Sequence, residues 1–323
     1  MNRRIFIARP RLDCSFKPGP IPDSVTAPSS PILKQFGQFI DGIELYHYSA
    51  GDVVTTVCKP LWQFSFDEMA NACLLYDRVY FPHKLRSQFP IGDNAFFYKN
   101  APLNGYFTAD PDGWGASLSF LPPALERGEK ANHTFNFLKA KITENESIFA
   151  QPAQGAPPAS SPYDLFICQL PHDETIKFHS QVSVEDALTT TLLYARETGR
   201  TLVVKGHPAN PKSMLPLQKL TLANANAKWV DHISIHTCFA GAERVFLVNS
   251  GSGMEALLHD TLVVRFGHAE YDCVTPQSAP NVADLTRVAE WHHDREDYAA
   301  FLHAYLQRCI KLGDVNSYAR VLS

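Results

Sequence analysis

Three short stretches of the 323-residue chain carry side chains whose types and spacing could do chemistry. The first is Gln169-Leu170-Pro171-His172-Asp173-Glu174-Thr175, with His179 and Ser180 a few residues on. It sets the carboxylate of Asp173 after an apolar run, where it can serve as nucleophile or base, or simply cap the following segment as a favoured N-cap residue. The second is Lys205-Gly206-His207-Pro208-Ala209-Asn210. Glycine permits close backbone approach and proline holds the preceding residue extended, so the His207 imidazole is aimed in a fixed direction. Such a histidine can donate a hydrogen bond to a phosphate or protonate a leaving group; the alternative is a histidine packed in a tight turn. The third is Asn249-Ser250-Gly251-Ser252-Gly253, running into Met254-Glu255-Ala256-Leu257. Its small residues are expected to leave several backbone N–H groups and two hydroxyls free at a helix start, which makes either an anion cradle or an ordinary Ser/Gly turn. The loop lacks the lysine of GxxxxGK[ST] and the spacing of GxGxxG, so ATP hydrolysis and NAD binding are poorly supported. Glu255 would repel a phosphate and suits a ribose hydroxyl or a local cap.

Positioning these groups is the task of the elements around them. From residue 163 onward, apolar runs of strand length alternate with helical stretches: strands at 163–170, 201–205, 242–249 and 262–266, helices at 184–198, 215–225 and from 254 to 259. That succession predicts βαβ units in a parallel, doubly wound sheet, in which ligands bind beyond the carboxyl ends of the strands. All three stretches fall at such ends. Residues 295–311 have amphipathic helical spacing, with apolar positions at Tyr298, Phe301, Leu302, Tyr305, Leu306 and Ile310. Residues 150–162, AQPAQGAPPASSP, contain four prolines and no charge and read as an interdomain linker. The expected division is therefore 1–149, a linker at 150–162, and 163–323. In the first part, 43–48 and 78–81 read as strands and 66–76 as a helix.

The stretches QLPHDETIKFHS, VVKGHP and VNSGSGMEALL, followed by Phe266-Gly267-His268-Ala269-Glu270-Tyr271-Asp272, resemble the bacterial capsule and lipopolysaccharide β-Kdo transferases, Kdo being 3-deoxy-D-manno-oct-2-ulosonic acid. The resemblance covers about residues 163–272. Its HP and Ser/Gly elements are also similar to those of bacterial sialyltransferases, which use the same kind of CMP-activated acidic sugar. Tyr76-Asp77-Arg78 and the stretch 107–115 look like that family's acceptor-side domain. The resemblance implies an α/β, GT-B-like fold of two Rossmann-like domains, with the nucleotide site in the C-terminal one and a terminal helix crossing back. It implies a retaining glycosyltransferase that moves Kdo from CMP-Kdo to a saccharide or glycolipid acceptor in cell-surface polysaccharide synthesis. His207 would contact the CMP phosphate, Pro208 fix the turn, Lys205 add positive charge, and Ser250, Gly251, Ser252, Gly253 and Glu255 hold the nucleotide. Asp173 would be the nucleophile. Asp110, Asp112 and Gln169 are candidates for the acid/base or acceptor side, with Glu144 and Glu146 weighed as well. Two alternatives stay open: a sialyltransferase using CMP-sialic acid, and a nucleotide-sugar-binding protein without turnover.

Composition narrows the partners. With 29 Lys and Arg against 33 Asp and Glu, the net charge of −4 gives no basic excess, so no nucleic-acid partner is expected. No apolar run approaches the length of a membrane span, and Ile5-Phe6-Ile7-Ala8 is too short for a signal-peptide core, which points to the cytoplasm, with peripheral association at the inner membrane face left open. The seven cysteines form no CxxC and read as reduced, packed thiols. A single-phosphate leaving group needs less charge neutralisation than a diphosphate, and no HExxH or comparable spacing occurs; no cofactor and no metal are expected, and His292-His293 reads as a solvated pair.

Overall fold

A computed structural model of the chain describes residues 4–11, 42–49, 102–103, 106–108, 125–160, 162–171, 173–208 and 211–311. It divides into two units. One takes in residues 1–100, 105–121 and 306–323, and the other residues 101–104 and 122–305. In the first unit, β1 (Arg4–Arg11) pairs in parallel with β2 (Gly42–Ser49), from Arg4 opposite Gly42 to Arg11 opposite Ser49. Also in it, β3 (Tyr106–Thr108) pairs antiparallel with β9 (Cys309–Lys311). The strand expected at 43–48 is β2; those at 78–81 and the helix at 66–76 lie outside the described residues.

The second unit is the doubly wound α/β domain that the sequence implies. Its sheet contains β4 (Tyr163–Ile167), β5 (Leu202–Lys205), β6 (Ala227–Val230), β7 (Ala242–Leu247) and β8 (Leu262–Arg265), all parallel, in the order β6-β5-β4-β7-β8. The chain steps outward from β4 through β5 to β6, then returns to the far side of β4 for β7 and β8. The connection therefore reverses direction between β4 and β7, the switch point at which such sheets open a crevice. Strands β4 and β5, and edge strand β8 as well, are buried at every or nearly every position, which is why YDLFI, LVVK and LVVR read as nearly continuous apolar runs rather than alternating ones.

Helices close both faces. On one, Phe166, Val204, Phe246, Val264 and Phe266 pack with residues of α2 (Glu174–His179), α3 (Val184–Thr198), α4 (Pro211–Leu222) and α7 (Val282–Val288). In α3, Ser183 accepts from the Asp186 N–H as N-cap, Gly199 ends the helix in the left-handed conformation at φ 69°, and Ala187, Leu188, Thr191, Leu192 and Ala195 form the buried stripe. The other face carries α5 (Ile235–Ala240) and α6 (Ser252–Leu257); the Tyr163 hydroxyl donates to the Cys238 carbonyl of α5. Two long helices complete the unit, α1 (Glu129–Thr143) and α8 (Arg295–Arg308), joined by a Thr134–His303 hydrogen bond and by the Arg295 guanidinium over the Phe135 ring. At the amino ends of the strands, fully buried Asp164 accepts from Arg200 through both oxygens and from Arg244.

The segment read as a linker is not the boundary between the units. Residues 122–149 already belong to the second unit, and the chain from Asn145 to Pro158 is tied across it: Asn145 accepts from the Ser234 hydroxyl, Gln151 from the Ile235 N–H, and the Pro158 carbonyl from Lys228. Its prolines make an extended crossing whose polar groups are met by distant partners. Of the expected terminal helix 295–311, the last three residues are instead β9.

Candidate functional site

The carboxyl ends of β5, β4 and β7 are neighbours in the sheet, so His207, Asp173 and Ser250 emerge side by side from one edge. At the switch point itself, Gln169 and Asn249 clasp the two strand ends. The Gln169 side-chain carbonyl accepts from the Asn249 N–H at 2.8 Å, and its amide donates to Asn249 Oδ1 at 3.0 Å. Asn249 Nδ2 then donates to the Thr175 carbonyl at the start of α2. Both side chains are buried, so Gln169 fixes the crevice rather than reaching an acceptor. Asp173 is the N-cap of α2: Oδ1 accepts from the Thr175 N–H and hydroxyl, both at 2.9 Å. The capping reading is therefore correct as far as it goes. It uses one oxygen only, and Oδ2 makes no hydrogen bond among the described residues.

Beyond β5, the Gly206 N–H donates to the Val230 carbonyl, and a Cβ added to Gly206 would lie 2.5 Å from the Trp229 indole. The turn is thus pressed against β6, and only glycine fits there. His207 is half-buried and meets the Phe149 ring nearly edge-on, centroids 5.5 Å apart, while Pro208 is exposed. Lys205 does not face this edge. Its side chain is buried and donates to the Asp231 carbonyl at 2.7 Å; burial lowers its pKa, offset in part by Cys238, Asp231 and Cys168 nearby. Its expected contribution to phosphate binding is corrected accordingly.

The Ser/Gly loop keeps more of its hydrogen bonds to itself than its composition suggests. Ser250 Oγ accepts from the Ser252 N–H, the Ser250 carbonyl from the Gly253 N–H, and the Gly251 carbonyl from the Met254 N–H. The expected row of free N–H groups is therefore mostly spent in turn formation, and the hydroxyls of Ser250 and Ser252 become the principal polar groups. Gly253 lies under the Tyr271 ring, where a Cβ would come within 2.3 Å of Cζ and Oη, and the Tyr271 hydroxyl donates to the Ser250 carbonyl at 2.5 Å. Its role is to admit that ring. The segment 266–278 that carries Tyr271 is anchored by buried Arg265, which donates to the Gly267 and Thr275 carbonyls and to Gln277. It also reaches α2, since the His268 N–H donates to the His179 carbonyl.

Glu255 is buried, with Oε1 accepting from the Ile148 N–H at 3.3 Å and Oε2 meeting no hydrogen-bond donor. Burial pushes its pKa up to about 7, while Ser147, the Ile148 N–H and Ser252 pull the other way. His236 Nε2 lies 4.0 Å from Oε1 and 2.6 Å from the Glu146 carbonyl. A carbonyl only accepts, so Nε2 of His236 carries the proton and Nδ1 accepts from His259 Nε2, 3.2 Å away. Burial lowers the pKa of both rings, that of His259 to about 3, where His236 and Lys139 add to the effect.

Sequence reasoning did not find the 145–151 segment as part of this edge. Through Ile148 it meets Glu255, and through Phe149 it meets His207. Asp110 and Asp112 lie outside the described residues. Glu144 and Glu146 both pair with Lys141 at the end of α1, 3.0 and 3.2 Å away, as solvated charges. His293 stacks on Tyr298 and lies 3.1 Å from the Asp260 carbonyl. Among the described residues no group of three or more His, Cys, Asp or Glu side chains is arranged to hold a metal ion, and no helix is long and apolar enough to cross a membrane.

A search among curated proteins finds no sequence match. Among solved structures, the chain is similar to KpsC, beta Kdo 2,4 transferase, of Thermosulfurimonas dismutans, at 16% identity and a TM-score of 0.42 over 61% of this chain and 64% of that one, less than two thirds of its length. It is similar to the beta Kdo 2,7 transferase of the same organism's KpsC at 14% identity and a TM-score of 0.46, over 84% and 85% of the two chains. UDP-GlcNAc 2-epimerase of Methanocaldococcus jannaschii follows at 12% identity and 0.36, over 83% and 69%. The family model described as capsule polysaccharide biosynthesis protein matches residues 134–317, more than half of the chain and the whole strand-end constellation from Phe149 to Tyr271. The chain belongs to the capsule polysaccharide biosynthesis protein family.

Proposed function

We propose that this protein is a GT-B-type glycosyltransferase that moves Kdo from CMP-Kdo to a saccharide or glycolipid acceptor in capsule or lipopolysaccharide synthesis. The observation that carries the reading is the placement of Asp173, His207 and Ser250 at adjacent strand ends of one parallel sheet, around its switch point, in a chain of the capsule family. The roles follow from chemistry. The His207 imidazole, aimed by Gly206 and Pro208, binds the CMP phosphate and stabilises the charge that develops as the nucleotide leaves. The Ser250 and Ser252 hydroxyls, with Gly251 between them, hold the phosphate from the other side of β4. Glu255, buried behind the Ser/Gly loop and bonded to the Ile148 N–H, braces that loop from within rather than touching the nucleotide.

Asp173 attacks the anomeric carbon through Oδ2 as the bond to the CMP phosphate breaks, giving a covalent glycosyl-enzyme. The acceptor hydroxyl opens this in a second displacement, so the anomeric configuration is retained. Capping bonds to Oδ1 fix the carboxylate for the first step. No metal is needed to neutralise a single-phosphate leaving group.

The test is intact mass spectrometry of the protein incubated without acceptor, once with CMP-Kdo and once with CMP-sialic acid, alongside Asp173→Ser. Serine keeps the cap, whose loss to alanine would cost about 1 kcal/mol, but cannot form the adduct. A Kdo-sized mass increase that vanishes in a normally stable Asp173→Ser variant is expected. A sialic-acid-sized increase would replace the donor assignment. An increase that persists in Asp173→Ser would remove Asp173 from the nucleophile role, and CMP binding with no turnover on any acceptor would leave a binding protein.

A further inference from the structure

Asp173 and the Ser/Gly loop follow different strands, and one buried side chain reaches from the second to the first. Asn249, 2% exposed, immediately precedes Ser250. Its N–H and Oδ1 are both engaged by Gln169, at 2.8 and 3.0 Å, and this reciprocal pair fixes the plane of the Asn249 amide. Nδ2 is thereby aimed at α2, where it donates to the Thr175 carbonyl at 2.8 Å. Thr175 is the residue whose N–H and hydroxyl both donate to Oδ1 of Asp173. An unbroken run of contacts therefore leads from the residue before Ser250, through Thr175, to the Asp173 carboxylate.

Filling the gap does not ask for this arrangement, since two apolar side chains of the same shape would serve stability nearly as well. Hydrogen bonds add a defined distance and direction. The backbone pairing of β4 with β7 ends at Phe166 opposite Phe246, so beyond that point side chains must hold the two strand ends together. Helix α2, Glu174–His179, has six residues, too few to hold its own direction, and the tie to its first turn sets where Asp173 points. The proposed transfer needs that setting, because the carboxylate must approach the anomeric carbon from the face opposite the departing phosphate. A misplacement of about 1 Å costs on the order of 100-fold in rate. We infer that Asn249 is a positioning residue, which sets the Asp173 carboxylate against the Ser/Gly loop. The inference rests on the reading of Asp173 as nucleophile and of that loop as the seat of the phosphate, and adds the residue that couples the two.

The experiment follows the covalent adduct by intact mass spectrometry of samples quenched at successive times after the full chain meets saturating CMP-Kdo. CMP affinity is measured in parallel by NMR titration. Wild type is compared with Asn249→Ser and Gln169→Met, with thermal melting to establish that each variant is folded. Serine is too short to reach the Thr175 carbonyl and adds no charge, while Gln169→Met leaves Asn249 in place with nothing to hold its amide. Asn249→Ser should form the adduct about 10- to 100-fold more slowly, with CMP affinity within about 2-fold of wild type, and Gln169→Met should show the same split. If Asn249→Ser does not fold, Gln169→Met decides alone. An equal loss of rate and affinity would mean that Asn249 only shapes the phosphate loop and would overturn the inference, as would an unchanged adduct rate in either folded variant. A wild-type protein that forms no adduct with CMP-Kdo removes the nucleophile reading and this inference with it, and that outcome is visible without any variant.

Discussion

Gly253 offers the sharpest test of how the Ser/Gly loop is built, because two effects of opposite sign act on it. Gly253 lies in the first turn of α6, where alanine would ordinarily stabilise a helix by about 0.5–1 kcal/mol. Against this, the added methyl would stand 2.3 Å from Cζ and Oη of Tyr271 and 2.8 Å from Cε2, where carbon contacts normally lie near 3.5–4.0 Å. The ring would have to retreat by about 1 Å. It is fully buried, its hydroxyl is bonded to the Ser250 carbonyl, and its own carbonyl is held by the Thr275 hydroxyl, so no cheap path exists. Overpacking costs about 1–3 kcal/mol, and a stranded buried hydroxyl about 1–3 more. Net of the helix gain, Gly253→Ala should destabilise the protein by about 2–4 kcal/mol. Urea unfolding of wild type, Gly253→Ala, Tyr271→Val and the double variant measures this directly. The methyl should refill part of the cavity left by the ring, so the double variant should be at least about 1 kcal/mol more stable than additivity predicts. A Gly253→Ala protein as stable as wild type, or an additive cycle, would refute the packing argument and return Gly253 to the ligand.

Two further outcomes concern buried charge. Glu255 is held above its unfolded value, so its contribution to stability is complete below about pH 4.5 and lost as pH rises through about 7. Glu255→Gln should therefore gain on wild type by up to about 3 kcal/mol between those limits in pH-dependent unfolding, and a difference flat with pH would contradict the burial. At the opposite end of the sheet, Asp164→Ala leaves Arg200 and Arg244 facing a void. It should cost about 3 kcal/mol in the same assay while CMP affinity stays unchanged, since the residue stands at the amino ends of the strands.

What could be read from the sequence follows from which interactions are local. Strands buried on both faces announce themselves as apolar runs, and α3 carries its own cap, stripe and terminating glycine, so 184–198 was legible to the residue. By contrast β6, at the sheet edge, has Ala227, Lys228, Trp229 and Val230 with only the last buried, and nothing in AKWV distinguishes it from a turn. Helix α1 did carry a signal, Ala131, Phe135, Leu138 and Ile142 at helical spacing, but the proline-rich stretch after it drew the domain boundary to the wrong place. That stretch is held by partners some 70 to 84 residues away, which leave no mark on local composition. The same holds in the site. His207 and Asp173 could be named from their neighbours, whereas the inward turn of Lys205 and the ring over Gly253 depend on contacts made across the sheet.

The pairing of β3 with β9 sets a schedule for synthesis. Tyr106 meets Lys311 and Thr108 meets Cys309, so about two hundred residues separate the two halves of this ribbon. At roughly 5–20 residues per second, a ribosome takes about 10–40 s to make the chain between them. All five strands of the parallel sheet are made within that interval. The first unit begins before the second and is completed after it, so a nascent chain stalled at residue 308 would carry a whole parallel sheet while β3 still lacked its partner β9.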